Sequence, residues 1–503
     1  MRIGVLFLIV LCEAKYIGKG PHIIDTATNK RLKLKCLNWY GAHLHGNVVS
    51  GLQIRGVHDL VKTFASSGAN CVRIPISMDL TRLNPIVDPI FISAIKPFEC
   101  NTTLRAMDIM DCVVYYLHLY NILIIFNCHT SWPGWVGPGE KVSQGLWNLG
   151  GNYTTMDWIK SMQHIVQRYK IFGFDLRNEI HDQGTTVITW GKSGDINTDW
   201  LAASNLASDI LRDIDNDLFI IVGGLCWNLD LRDMMSNIGP EKAFNAGKLI
   251  YTTHIYSWSF WWKANQEIFD IVFFCFVSLT VFFFLMSLIF GVSYCNGTKY
   301  SKLDECEERS FSCENSLITS IVFHVGWLII AFVFVNLARL NGCSTLGNDA
   351  IWLIVLETIL IILTFWIGLI FAVPSKTSAP WLFFWLGCFS LSVTFVLLHL
   401  QTDSAMYNFL DWWRLKDRKL PVWVGEFGTA LSSKDKFSTQ DPVFDRVLLK
   451  FIADQHDLDF AYWTFNADNW RFDGFIPENY GILEADYQTI KTSYVIQYLF
   501  GKP

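Results

Sequence analysis

Two absences bound this 503-residue sequence before any motif is read. No two of its 13 cysteines stand in a Cys-x-x-Cys pair, so no zinc site is expected, and no other motif in the sequence calls for a metal or a cofactor. Positive charge is not in excess either. Lys and Arg number 40 against 46 Asp and Glu, a net charge of −6, which offers no basic surface to nucleic acid. Charged residues make up only 17% against 51% hydrophobic, a high apolar share for a chain folded wholly in water.

That apolar share is concentrated. Residues 1–14 combine Arg2, a short apolar core from Gly4 to Cys12 and a small residue at Ala14, the layout of a secretory signal peptide. Further on, Ile268 to Val292, Leu317 to Ala338, Ile351 to Val373 and Trp381 to Leu400 are apolar runs long enough to cross a hydrocarbon core of about 30 Å. Four such runs in succession leave no polar face for water, so they are expected to be transmembrane helices in contact with lipid. An even number of crossings returns the chain to the side it left. Lys299, Lys302, Arg309 and Lys376 would then lie in the inner loops, in the sense of the positive-inside tendency. Glu357 falls inside the third run, where a carboxylate is either functional or paired.

Outside that interval the chain alternates short apolar runs with helix-like segments. Candidate strands are Leu32–Gly41, Ala69–Ile76, Ile122–His129, Ile171–Glu179, Leu218–Gly224, Lys248–Tyr256, Val422–Glu426 and Asp459–Asn466; helix-like segments include Ile54–Ser67, Met107–Tyr120, Met156–Tyr169 and Asp199–Leu211. Eight strands, mostly separated by helices, are the pattern of a (β/α)8 barrel, in which polar residues at the C-terminal strand ends carry the chemistry. Two of these strands end in a carboxylate, Glu179 and Glu426. Such a pair suits glycosidic bond cleavage, where one carboxyl protonates the leaving oxygen and the other supports positive charge at the anomeric carbon. Arg73 interrupts an apolar strand, where an unpaired guanidinium would be costly, so it needs a buried anionic partner. Trp132 and Trp135, with Trp147 and Tyr153, are candidate platforms for a sugar face. Cys36, Cys71 and Cys128 fall on candidate strands and read as buried thiols, whereas Cys100 and Cys112 could pair. Sequons stand at Asn101, Asn152 and Asn296.

On these residues the chain resembles glycoside hydrolase family 5, the cellulase-like retaining barrels. Arg73, His129, Asn178, Glu179, His254, Tyr256, Glu426 and Trp463 occur in the family's order. Thr189-Trp-Gly191 with Asp199-Trp200, and the segments Trp463–Asn466, Gly481–Leu483 and Asp486–Thr489, look like its endoglucanase branch. The resemblance implies Glu426 as nucleophile and Glu179 as acid/base. Asn178 would bind the sugar 2-hydroxyl, Arg73 and Tyr256 would support Glu426, His129 and His254 would hold the network, and Trp463 would form the floor of the cleavage subsite. Ile180 departs from the family's usual proline.

The expected architecture is therefore α/β, a (β/α)8 TIM barrel interrupted by a four-helix transmembrane bundle. Its parts are a signal peptide at 1–14, the first six strands in 15–266, the membrane insertion in 267–401 and the last two strands in 402–503. The expected activity is a retaining O-glycoside hydrolase of the secretory pathway, an endo-β-1,4-glucanase acting on β-linked polysaccharide or oligosaccharide, with the barrel on the extracellular or lumenal side. A β-mannanase or a glycolipid-directed glycosidase keeps the same chemistry. A sugar-binding membrane receptor or transporter is the alternative of another class, and it has no need of both carboxylates.

Overall fold

In the computed structural model, residues 16–96, 99–100, 104–136, 144–256, 278, 419–429, 448, 451–452, 458–471, 474–491 and 494–501 are described. The chain divides into two compact units, residues 1–256 with 407–503, and residues 257–406. The signal peptide at 1–14, the four apolar runs, Glu357, Asn101 and Asn296 lie outside the described residues. Among the described residues no helix is long and apolar enough to cross a membrane.

The first unit is built on a closed barrel of eight parallel strands: β4 (Lys35–Asn38), β5 (Cys71–Ser77), β6 (Leu123–Thr130), β7 (Gly173–Asp175), β8 (Phe219–Gly223), β9 (Leu249–Ile255), β10 (Val422–Phe427) and β11 (Asp459–Tyr462), the last closing on β4. The strands are buried almost throughout, which is why they read as apolar runs instead of alternating. Strands β9 and β10 pair directly although residues 256–421 separate them in sequence.

Helices cover the outside. In α1 (Val57–Ser66) the buried residues Val57, Leu60, Val61 and Phe64 repeat at helical spacing. In α4 (Thr155–Arg168) Thr154 and Asp157 form a reciprocal capping box that starts the helix one residue before the expected Met156. In α5 (Trp200–Ile214) the Asp199 carboxylate caps Leu201 and Ala202 and also accepts from Gly191, Ser193 and Gly194. The Thr189-Trp-Gly segment is therefore tied to the start of α5 by one carboxylate.

A small antiparallel sheet precedes the barrel, β1 (Tyr16–Lys19), β2 (His22–Asp25) and β3 (Lys30–Leu32), and was not resolved as strands from the sequence. Its Ile23 joins the core cluster of Ile125, Phe219, Ile221, Ile250 and Trp423, with Tyr16 and Leu32 packed alongside.

The expectation of buried thiols needs correcting. Cys36 and Cys71 face each other in register on neighbouring strands, Cα atoms 4.4 Å apart, and are joined as a disulfide. Spacing in the sequence could not show this, because adjacency came from barrel closure. Cys100 pairs with Cys112. Cys226 is also disulfide-bonded, and Cys128 is a buried free thiol.

Candidate active site

The eight candidate residues converge on the C-terminal mouth of the barrel. Arg73 lies on β5, His129 on β6, His254 on β9 and Glu426 on β10, while Asn178 and Glu179 follow β7, Tyr256 follows β9 and Trp463 follows β11. Glu426 reaches the mouth through an irregularity: opposite Thr253 and His254, β10 carries one extra residue, Gly425, between Val424 and Glu426. A side chain at Gly425 would strike Thr252, its Cβ falling 2.3 Å from Oγ1, so the bulge needs glycine. Glu179 sits in a turn with φ of +37°. Ile180, in place of the proline expected there, frees Glu179 from the extended conformation that a following proline imposes.

Arg73 is the hub. Its Nη1 donates to Glu426 Oε1 at 2.6 Å and to Asn38 Oδ1 at 2.9 Å, its Nε donates to Asp175 Oδ2 at 2.9 Å, and its Nη2 donates to Asn178 Oδ1 at 2.9 Å. The buried cation thus has two carboxylate partners, Glu426 and Asp175, where the sequence required at least one. Tyr256 donates to the other Glu426 oxygen at 3.2 Å. His254 Nδ1 lies 2.9 Å from Glu179 Oε1 and 3.6 Å from Glu426 Oε2, while its Nε2 faces Asn228 Nδ2 at 3.3 Å. With Asn228 donating to Nε2, the imidazole carries its proton on Nδ1 and donates toward the carboxylates.

Burial pushes the Glu179 carboxyl up to about 7, with the Arg73 cation pulling the other way. Burial also raises Glu426, but His254 and Arg73 oppose it, and Arg73 donates a hydrogen bond to the carboxylate. Burial drives His254 down to about 3, so it is neutral at physiological pH. The two carboxyls therefore differ in support: one holds direct bonds from a guanidinium and a phenol, the other only an imidazole N–H.

One oxygen each of Glu179 and Glu426, and the near nitrogen of His254, all lie within 4.8 Å of one another. Among the described residues this is the one cluster close enough to hold a metal ion, and Arg73 already occupies its charge on the Glu426 side.

Trp463 stacks on Tyr40, ring centroids 4.9 Å apart and planes within 6°. Tyr40 is locked from behind by donating to Glu478. His129 lies against the same indole at 6.1 Å, its Nδ1 bonded to Asn127 Oδ1 at 2.8 Å. Trp135 packs edge-on to Trp463 and Tyr40. Three candidate platforms are not part of this surface, and one of them, Trp132, packs edge-on to Tyr153. Trp147 is fully buried against Trp158 and Trp200, donating to Ile196 O, and Tyr153 donates to Asp79 while packing under Arg82. Asn38, Asp175, Asn127, Asn228 and Tyr40 were missed as site residues; a polar residue at or beside a barrel strand end was their only signal.

Residues 27–272 match the sequence model of the family described as Cellulase (glycosyl hydrolase family 5). The matched segment contains Arg73, His129, Asn178, Glu179, His254 and Tyr256, whereas Glu426 and Trp463 stand beyond it. Among curated proteins, the chain is similar to the major extracellular endoglucanase of Xanthomonas campestris pv. campestris, 25% identical over 256 residues, covering 48% of this chain and 49% of that protein. An endoglucanase of Paenibacillus polymyxa is 28% identical over 225 residues, 42% of this chain and 51% of that one. The chain thus spans about half the length of the curated relatives it matches. Among solved structures, the catalytic domain of the Xanthomonas endoglucanase superposes with a TM-score of 0.56 at 16% identity, covering 97% of this chain and all of that one. The hyperthermophilic endocellulase of Pyrococcus horikoshii gives 0.54 at 16%, covering 97% and 99%. These superpositions concern the barrel fold.

Proposed function

We propose that this protein is a retaining β-glycosidase, an endo-β-1,4-glucanase in which Glu426 is the nucleophile and Glu179 the acid/base. The observation that carries the reading is the close approach of two carboxyls with different hydrogen-bond support. Oxygens within 4.8 Å of each other fit the separation of roughly 5–5.5 Å that direct attack requires, and leave no room for the water that an inverting site places between its carboxyls.

In this mechanism Glu426 attacks the anomeric carbon. Arg73 and Tyr256 bind one oxygen each, so the carboxylate is kept ionised and its free lone pair is aimed. Glu179 accepts the His254 N–H on Oε1 and carries the transferable proton on its other oxygen. It passes that proton to the leaving oxygen, then takes one from water in the second step. Asn178 donates its amide N–H to the sugar 2-hydroxyl, because Arg73 already holds its oxygen and fixes the amide's orientation. Trp463, backed by Tyr40, offers an apolar face to the pyranose.

The four apolar runs anchor this enzyme in a membrane on the secretory route after removal of residues 1–14, with the barrel outside. Their length and uniform apolarity support that placement. Similarity to proteins described as endoglucanases supports β-1,4-glucan over mannan or glycolipid.

The test is a panel of β-glucans, mannan and glycolipids assayed with purified full-length protein beside its Glu426→Gln variant. Cleavage of β-1,4-glucan by the wild type alone supports the reading. Inactivity of both on every substrate, with sugar still bound, would favour a receptor.

A further inference from the structure

Beside Trp463 and His129 stands a residue that the mechanism above does not use. His43 follows β4 on the loop through Tyr40, and its side chain is fully buried. Among the described residues neither ring nitrogen has a hydrogen-bond partner. Its ring lies 4.3 Å from His129, 5.2 Å from Trp135 and 5.9 Å from Tyr40, centroid to centroid. The Trp135 indole stands edge-on to it, planes at 85°, and the indole Nε1 is likewise buried without a partner. The backbone fixes the arrangement, since His43 O accepts from Gly134 N at 3.0 Å, beside Trp135.

Three unpaired nitrogens on one side of an aromatic box are unusual. A buried donor or acceptor left unsatisfied costs about 1–3 kcal/mol, and native structures retain few of them. The imidazole cannot relieve the cost by ionising: burial and the nearby Arg73 cation hold it down to about 3, so it offers one N–H and one lone pair. The box is thus apolar on the Trp463 face and carries unmet hydrogen-bonding capacity on the His43 and Trp135 side. A pyranose presents the same two characters, C–H bonds on its faces and hydroxyls around its rim.

We infer that His43, with Trp135, forms a polar wall of the glycone subsite, where His43 bonds a rim hydroxyl of the sugar stacked on Trp463. The inference rests on the glycosidase reading of the site. Trp135 packs edge-on to His43, so the indole shifts as the sugar enters and its N–H gains a partner at the same time. His43 is a substrate-positioning residue, and it takes no proton in the reaction.

The experiment compares the full-length wild type with His43→Phe, which keeps a ring of similar size and removes both polar atoms, and His43→Gln, which keeps a donor and an acceptor. Each is assayed on an aryl cello-oligosaccharide and on analogues lacking one glycone hydroxyl at a time. His43→Phe should lower kcat/KM by about tenfold or more, the loss expected of one buried hydrogen bond, and His43→Gln should recover part of it. On the single analogue that lacks the bonded hydroxyl, wild type and His43→Phe should become equal. Unchanged kcat/KM in His43→Phe overturns the inference and leaves the glycosidase reading standing. So does an equal loss on every analogue, which marks a structural role. If His43→Phe does not fold, His43→Leu, which also removes both polar atoms, takes its place, and discrimination among the analogues that it leaves unaltered overturns the inference. A wild type inactive on every β-glycoside overturns both readings together.

Discussion

Replacing Glu179 by glutamine should make the protein more stable at alkaline pH while it removes the proposed acid/base. The folded state raises this carboxyl from 4.5 to about 7 because burial penalises its charge. A group whose folded pKa lies above its unfolded value contributes stability that is fully present below the unfolded value and is lost as pH rises through the folded one. At about 1.4 kcal/mol per pKa unit, a rise from 4.5 to about 7 makes the ionised side chain cost on the order of 3 kcal/mol above neutrality. Its side chain keeps 18% exposure, so water screens part of that, and roughly 1–3 kcal/mol is the expected range. Glutamine has nearly the same shape, and its oxygen can accept the His254 N–H that Glu179 Oε1 accepts at 2.9 Å. Thermal unfolding of the two proteins in detergent should therefore coincide near pH 4.5 and diverge toward pH 8, with the variant melting a few degrees higher. A gap that is constant with pH, or a variant less stable than wild type at pH 8, would refute the reasoning.

The pH profile of kcat/KM should fall on the alkaline side as pH rises through about 7, where Glu179 loses its proton, and on the acid side as Glu426 takes one up; a profile still rising at pH 9 would reverse the roles. Glu179→Ala should keep turnover on substrates whose leaving groups need no proton, while Glu426→Gln loses it on all; equal loss on activated aryl glycosides would merge the two roles. Arg73→Met should cost at least about 3 kcal/mol of stability, because it strands the buried Asp175 carboxylate and part of Glu426, and chemical denaturation would show it. Joint replacement of Cys36 and Cys71 by alanine should lower stability by about 4 kcal/mol, the chain-entropy value for a loop of 35 residues, and intact-mass thiol counting on the wild type should find neither thiol free.

The barrel was legible because its strands are buried on both faces. Each reads as an apolar run of strand length, and the turn to polar residues at its end marks the catalytic mouth, as at Asn178, Glu179 and Glu426. The starts of α4 and α5 were legible to within one residue, at Met156 and Asp199, while the side chains that cap them were read only from the structure. What was hidden depends on closure. Cys36 and Cys71 stand 35 residues apart and become neighbours only when β4 pairs with β5. Asp175 carries no mark in sequence beyond its place two residues past Gly173, yet it takes the Nε edge of Arg73. Aromatic loop residues misled, because a tryptophan in a loop can as well be core: Trp147 turned inward to Trp158 and Trp200, and Trp135 turned to the site. The hairpin β1 to β3 alternates weakly and is short, so nothing set it apart from an irregular leader.

Double displacement on Glu426 fixes which anomer of the product forms first. Proton NMR of an aryl β-cello-oligosaccharide, recorded within the first minutes of cleavage by the full-length protein and before mutarotation, reads the configuration of the released reducing end. The β-anomer should appear first, with the α-anomer growing in only at the rate of spontaneous mutarotation. Initial release of the α-anomer would mean a single displacement by water, and would contradict the assignment of Glu426 as nucleophile.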